Sequence, residues 1–552
     1  MTTIPVTDPT VPLKAPKDCG DLHVLAFPLE AGVTLVEASA GTGKTFSIVF
    51  ILIRLLLEGK VKSVDRALVV TFTNAATDEL VTRVRAGLRR ALAAYDGELP
   101  RDDDSRIWYD LAAQYAGRRE VVATALASID GLAVFTIHGF CKRVLEEHAV
   151  ESDTPYRATF VEDAHDLLEV AALDWWRRTF YPDSRLACLA VAEGWLPDTW
   201  LELWNQWQRH PRTTVHPGAP TVEQACDALE RVCEEICRTW SRERMAAALA
   251  GVDWSVKAPL GDQPIRVMNE AVEALRRGEL EALGTLCDCA AEPLETAGKK
   301  TSKTARAALK ALADDAFCAA CGSIAGAVEQ VRRALIADFM TSVTRDFEAE
   351  KGRRQALGFD DLLRRLHDGI EREGFGGALC GAIRGRYDAA LIDEFQDTDP
   401  FQFPIFSTAF RERPLFLIGD PKQAIYGFRG ADIFAYADAI RSADRRYTLP
   451  QNWRSTEGLI GAVNRLFGRA PRAFLRPADE IGFRDAAPAK AGPCPLADRR
   501  EPLQWWFVPP EGDKACTKGA ARQRLQRRAA AEIVSLLEQC EVEEAGELRR
   551  VR

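Results

Sequence analysis

The stretch that most constrains this chain is LVEASAGTGKTFSIVF, residues 35–50. Thr34 to Glu37 is short, β-branched and bounded by Gly32, the pattern of a buried strand, and Phe46 to Leu57 has the apolar content and length of a helix. Between them, Ala38, Ser39, Ala40, Gly41, Thr42 and Gly43 form a bend of small residues. Strand, tight bend and helix is the context in which backbone N–H groups converge on an oxyanion, and the new helix adds its positive dipole end. Gly41 and Gly43 let those groups turn inward. Lys44 then supplies a point charge for the β- and γ-phosphates, and Thr45 a hydroxyl for Mg²⁺. One position departs from G-x-x-x-x-G-K-[ST], since Ala38 stands where the first glycine is expected. The bend implies nucleotide binding and leaves open what work the nucleotide drives.

The chain's 552 residues exceed what one core can organise, so about three or four domains are expected. With a net charge of −9, any nucleic-acid contact must come from local basic patches rather than from the global field. No apolar run is long enough to cross a bilayer, and the polar, Pro-rich start lacks the apolar stretch of a signal peptide. The expectation is a cytoplasmic protein without a membrane partner. In that reducing compartment the fourteen cysteines read as thiols. Cys318 and Cys321 form a C-x-x-C, and Cys226, Cys233 and Cys237 share helical spacing; neither group has a His partner, and metal binding stays open as the alternative.

Strand and helix alternate through residues 33–150, with strands at Ala67–Thr71 and Ala133–Thr136 and a helix from Asn74 to about Ala94, which argues for a parallel α/β sheet. From 155 to 345, Ala, Leu, Glu and Arg recur at helical spacing, the pattern of an all-helical insertion. Eight of the twelve Trp lie between Trp175 and Trp254, where their spacing suits a core better than a row of base-stacking platforms. Alternation resumes at Ala389–Asp393, Leu415–Asp420 and Tyr447–Gln451. A loop-rich passage is expected over 470–500, then a strand over Leu503–Val508 and a helix over Ala520–Gln539.

Several strand ends carry chemistry. In AALIDEFQDTDPFQ, Asp393 is suited to hold Mg²⁺ through water, and Glu394 to polarise an attacking water. In LFLIGDPKQAIYGFRGADIF, Gln423 can sense a γ-phosphate, while Tyr426 and Phe428 can stack bases and Arg429 can meet phosphate. One element touching both ligands would couple hydrolysis to grip. In TLPQNWRSTEGL, Trp453 offers a flat face to adenine and Arg454 a fork for the γ-phosphate, and Ser455 or Thr456 is expected to cap the next helix. VVTFTNAATDELVTRV and FTIHGFCKRVLEEH bring Phe72, Thr73 and His138 to strand tips, where a single strand could be held. Taken singly, an acidic turn, a surface Trp-Arg pair and ordinary helix capping remain alternatives. KKTSKTARAALK, 299–310, reads as a solvated helix face, with contact to duplex DNA as the alternative.

Together, EASAGTGKT, VVTFTNAATDEL, FTIHGFC, GFDDLL, LIDEFQDTDP, IGDPKQAIYGFRGADIF and LPQNWRS resemble the ordered motifs of superfamily 1 DNA helicases of the UvrD/Rep type. Their wording is most similar to RecB subunits of exodeoxyribonuclease V, the RecBCD helicase-nuclease. No Gln precedes the phosphate loop, where a stand-alone UvrD-like enzyme would carry an adenine-reading one. Stand-alone UvrD/Rep-like and AddA-like helicases stay open as alternatives, as does a non-catalytic DNA-binding or assembly module.

The resemblance implies an ATP-dependent 3'-to-5' helicase acting in recombinational repair. It puts Lys44, Thr45, Asp393, Glu394, Gln423 and Arg454 around ATP and Mg²⁺, with Trp453 at the base. It puts Phe72, Thr73, His138, Tyr426, Phe428 and Arg429 on the single-strand path. A duplex end and RecC-like and RecD-like subunits would be the partners. The fold implied is an α/β RecA-like P-loop NTPase lobe (1–150 and 346–445), interrupted by the helical insertion (151–345) and followed by the start of a second RecA-like lobe (446–552). The family's fifth and sixth motifs and a nuclease domain do not appear before Arg552, so the chain is expected to correspond to the amino-terminal part of such a protein.

Overall fold

A computed structural model describes residues 19–152, 159–161, 164–208, 220–254, 258–299, 302–427, 431–469, 481–489, 501–510, 512, 515–544 and 547–550. Seven strands form one sheet: β1 (Gly20–Asp21), β2 (Gly32–Glu37), β3 (Ala67–Thr71), β4 (Ala133–Thr136), β5 (Ala389–Ile392), β6 (Pro414–Gly419) and β7 (Arg445–Thr448). Their spatial order is β1-β7-β2-β6-β5-β3-β4, and every pairing is parallel. The central strands β3, β5 and β6 are buried at every position, which explains why they read as unbroken apolar runs instead of alternating ones. Parallel pairing also puts all the carboxyl ends on one edge, where α/β sheets collect ligands.

The helices that connect these strands include α1 (Lys44–Leu57), α2 (Asn74–Asp96) and α3 (Ile137–Glu147). Eleven residues of α1 are buried, more than one face can account for, so α1 is a core helix. It packs with Leu80, Val84 and Leu88 of α2 and with Trp108.

The strand expected at Tyr447–Gln451 divides in two. Arg445–Thr448 joins the main sheet as β7, in register with Thr34–Glu37, and straddles the expected boundary between 445 and 446. A half-buried ion pair between Arg446 and Glu37, 2.5 Å apart, joins the two strands. Gln451–Asn452 pairs instead with Ala487–Pro488. No strand forms over Leu503–Val508, where Trp505 and Phe507 are exposed: aromatic, β-branched composition reports fitness for a half-buried pleat, and no neighbouring ladder supplies one here. The helix near the end spans Lys518–Gln539. Most of the expected loop passage, 470–480 and 490–500, lies outside the described residues.

Among the described residues, a second compact unit, Arg157–Phe359, is helical apart from a two-residue pairing of Thr159–Phe160 with Ala356–Leu357 and a single bridge between Asp253 and Lys299. Its last helix, Ile324–Arg354, runs past residue 345 because Phe347 still packs against the core, and it ends at Gln355 in a left-handed conformation. Trp175, Trp195, Trp200 and Trp204 are buried in that core, and Trp176, Trp207, Trp240 and Trp254 pack against it, so the tryptophans are core residues. Cys318 and Cys321 are buried there as well. A C-x-C pair absent from the sequence reading, Cys287 and Cys289, belongs to the same core, where the Cys289 thiol donates to the Thr285 carbonyl. Burial pushes the Cys318 thiol up to about 12, which leaves it a packing group rather than a nucleophile. Over Lys303–Ala311, Ala305 and Leu309 are buried while Lys303, Arg306 and Lys310 face solvent. Among the described residues no single helix is long and apolar enough to cross a membrane.

Candidate functional site

The phosphate loop leaves β2 between two anchors. Ala38 N–H donates to the carbonyl of Gly419 at the end of β6, and the Thr42 hydroxyl donates to the carbonyl of Ser39 at 2.7 Å. Gly41 (φ 79°) and Gly43 (φ 89°) are in the left-handed region, and Gly43 caps α1. Gly41 is also tightly enclosed: a Cβ there would lie 2.6 Å from Arg454 Cβ and 2.9 Å from Asn452 Oδ1. Ser39, Ala40, Gly41, Gly43, Lys44 and Thr45 line a cavity of about 470 Å³. Ala38 and Thr42 do not. Both were expected at the nucleotide, but their side chains are turned into the fold and serve the bend itself.

Opposite the loop, β5 delivers the acids. Lys44 Nζ lies 2.5 Å from Glu394 Oε2, and Glu394 lines the same cavity. Glu394 is one of two non-glycine residues with positive φ among those described (51°), strain of the kind that collects where a side chain must be aimed. Asp393 lies outside the cavity lining; its Oδ1 accepts from Glu394 N–H, and burial, then the charge of Glu394, push its carboxyl up to about 6. Asp397 is pushed up to about 6 by the same two causes, and its Oδ1 is buried without a partner. These hard oxygen donors, together with the Thr45 hydroxyl, fit a magnesium ion, whose charge would relieve the crowding of carboxylates.

The remaining walls come from β6 and β7. Gln423 lines the cavity, its amide donating to Asp420 Oδ2 at 2.7 Å. Asn452 clasps the phosphate loop directly: its Nδ2 donates to the Ala40 carbonyl at 2.8 Å, and its Oδ1 accepts from the N–H groups of Arg454 and Ser455. Trp453 N–H donates to the Gly41 carbonyl at 2.7 Å while its ring stays 53% exposed, and Arg454 lines the cavity. The following helix begins at Glu457 with Thr456 as its cap residue, but neither Thr456 nor Ser455 gives the side-chain cap expected of them. Phe46, 41% exposed, and the ion-paired Glu79 and Arg83 of α2 complete the lining. Sequence reasoning missed Phe46, Glu79, Arg83 and Asn452. The aromatic directly after the Lys-Thr pair and the Asn directly before Trp-Arg were the available signals.

At the neighbouring strand tips, Phe72 follows β3 and stacks on Tyr426, with ring centroids 5.4 Å apart and planes at 29°. Thr73 was expected to meet a single strand; its hydroxyl oxygen instead accepts from Ala76 N–H as the cap of α2, the alternative left open for this run. His138 is half-buried in the first turn of α3, which is capped by Thr136. Phe428 and Arg429 lie outside the described residues.

The profile of the UvrD/REP helicase N-terminal domain matches residues 24–444, which takes in β2 through β6 and the helical unit. The RecBCD enzyme subunit RecB of Escherichia coli is 32% identical over 531 residues, 93% of this chain and 44% of that protein. RecB of Haemophilus influenzae is 29% identical over 507 residues, 82% and 41% of the two chains. RecB of Chlamydia pneumoniae is 27% identical over 470 residues, 79% and 42%. The chain thus spans less than half the length of each of these relatives. A parallel sheet with a phosphate loop after β2 and acids after β5 is a RecA-like lobe, and with a family profile matching most of its length, the chain belongs to the UvrD/Rep helicase family.

Proposed function

We propose that this chain is the ATP-driven motor portion of a RecBCD-type helicase-nuclease subunit. It would move 3'-to-5' along one strand of a DNA duplex end during recombinational repair, in the cytoplasm, with RecC-like and RecD-like subunits. The observation that carries this reading is convergence. The phosphate loop, Glu394, Gln423 and Arg454, distant in sequence, line one cavity, and the segment that presents Gln423 also presents Tyr426 to Phe72.

In the proposed cycle, Lys44 and Arg454 hold the γ-phosphate, Glu394 orients the attacking water, and Trp453 and Phe46 offer aromatic faces to adenine. Mg²⁺, held by Thr45 and by Asp393 through water, would neutralise charge on the phosphate oxygens. Gln423 sits between the cavity and the Phe72-Tyr426 pair, so a shift of residues 420–426 on hydrolysis would reach the stacked rings. Residues 1–150 and 346–445, with β7 running on to Thr448, would form the first lobe, 151–345 an insertion touching duplex, and the chain after β7 the opening of a second lobe.

The test is ATP hydrolysis by the chain with and without a single-stranded oligonucleotide. Stimulation by DNA, abolished in Lys44→Ala, supports the motor. DNA binding that is indifferent to ATP, with no stimulated hydrolysis, would favour a non-catalytic DNA-binding or assembly module.

A further inference from the structure

Two residues beyond Glu394, Gln396 is 3% exposed and uses its amide in three directions. Oε1 accepts from Asp420 N–H at 2.9 Å; Nε2 donates to Glu394 Oε2 at 2.8 Å and to Asp397 Oδ2 at 3.0 Å. Asp420 is itself engaged, its Oδ2 accepting from Gln423 Nε2 at 2.7 Å and its Oδ1 from Lys422 Nζ at 2.7 Å. An unbroken run of hydrogen bonds therefore links Glu394, through Gln396 and Asp420, to Gln423 on the other wall of the cavity. The neighbouring strand makes room for it: a Cβ on Gly419 would come within 2.6 Å of Gln396 Oε1.

Only a neutral amide satisfies this position. One end must accept from a backbone N–H while the other donates to two carboxylates, which a Glu side chain cannot do once ionised. Glu394 has a left-handed backbone and a half-exposed side chain, so its carboxylate needs an external hold to keep one direction. Removing the amide would leave the buried Asp420 N–H and Asp397 without that partner, and would cut the only side chain bridging β5 to the Asp420–Gln423 segment in this run of bonds.

We propose that Gln396 is a positioning residue that aims the Glu394 carboxylate and ties its orientation to the segment carrying Gln423. The proposal rests on the reading of the cavity as an ATP hydrolysis site. Because Gln396 does not line the cavity, its role acts on turnover and not on nucleotide capture.

The experiment compares the chain with Gln396→Ala and Gln396→Glu variants by steady-state ATP hydrolysis with single-stranded oligonucleotide, and by equilibrium binding of a fluorescent ATP analogue. Binding also reports that each variant is folded. The expected result is a kcat lowered about tenfold or more in both variants, as a small misplacement of a reacting group from its optimal geometry costs turnover, with KM for ATP and analogue affinity within about threefold of the unmodified chain. Gln396→Glu should be no better than Gln396→Ala, because its carboxylate would face Glu394 and Asp397. Unchanged kcat in both variants, or a loss confined to KM, overturns the proposal. Absence of hydrolysis in the unmodified chain overturns the reading of the cavity, and the proposal with it.

Discussion

Lys44 Nζ and Glu394 Oε2 are 2.5 Å apart although 350 residues separate them in the chain. The lysine opens α1 after β2 and the glutamate follows β5, and the two strands are separated by β6, so the contact spans the edge of the sheet. It holds a cation and a carboxylate where a triphosphate would need one and its attacking water the other.

Replacing the lysine tests the first half of that arrangement. Lys44→Ala is expected to weaken ATP binding by at least about tenfold, roughly 1.4 kcal/mol, as one charge-assisted phosphate contact is lost. The thermal midpoint should move little, since Lys44 is bonded only at the cavity wall. Calorimetric titration with ATP and a melting curve measure the two effects, and undiminished affinity would remove Lys44 from the site.

Asn452 makes three hydrogen bonds with the backbone of the phosphate loop and of its own turn. Asn452→Ala leaves those groups without a partner at a position 9% exposed, at a cost of about 1–3 kcal/mol. Both stability in urea and ATP affinity should fall. A variant with normal ATP affinity would show that the clasp does not shape the loop.

The stacked pair at the strand tips is expected to contribute to single-strand binding. Phe72→Ala and Tyr426→Ala should each weaken binding of an oligonucleotide by about 1–3 kcal/mol, the range for one base-aromatic stack, while ATP affinity is retained. Fluorescence anisotropy with a labelled oligonucleotide reads this out; equal affinity in both variants would take the pair off the DNA path.

Asp388, 2% exposed, anchors the start of β5 by accepting from Arg66 Nε at 2.8 Å, Arg66 Nη2 at 2.9 Å and Lys62 N–H at 3.3 Å. Burial pushes its carboxyl upward, but the Arg66 bonds, the Lys62 N–H and the Arg413 charge outweigh this and hold it below its ordinary value of 3.8. A carboxylate whose proton affinity is lowered by folding stabilises the fold above its unfolded pKa. That contribution is lost as pH falls through the lower folded value. Asp388→Asn is therefore expected to cost about 2 kcal/mol near neutral pH, with the difference from the unmodified chain shrinking below about pH 4. Urea midpoints across that range measure it, and a difference that grows on acidification would reverse the assignment.

In the helical unit, Trp175 is 2% exposed, donates its indole N–H to Asp338 Oδ2 at 2.7 Å and meets Trp200 and Phe339 edge-on. Trp175→Ala should cost about 3–5 kcal/mol by opening a cavity among its buried aromatic neighbours. Chemical denaturation followed by tryptophan fluorescence measures the loss.

What the amino-acid order determined by itself was local. The strand-bend-helix of residues 34–57, the strands Ala67–Thr71 and Ala133–Thr136 and the helical character of the insertion follow from runs whose periodicity and turn residues lie within a few positions of one another. The motif residues Lys44, Glu394, Gln423 and Arg454 could be named because their chemistry is written in contiguous words. Tertiary structure alone decided direction and partnership. It turned Ala38 and Thr42 inward, made Thr73 a cap, inserted β7 between β1 and β2, and brought Asn452 onto Ala40 and Gln396 onto Asp420. The Thr73 cap is local and turns on backbone dihedrals, whereas the others depend on segments far along the chain, because a side chain's partner is set by how strands are ordered in space, which no short stretch of sequence encodes.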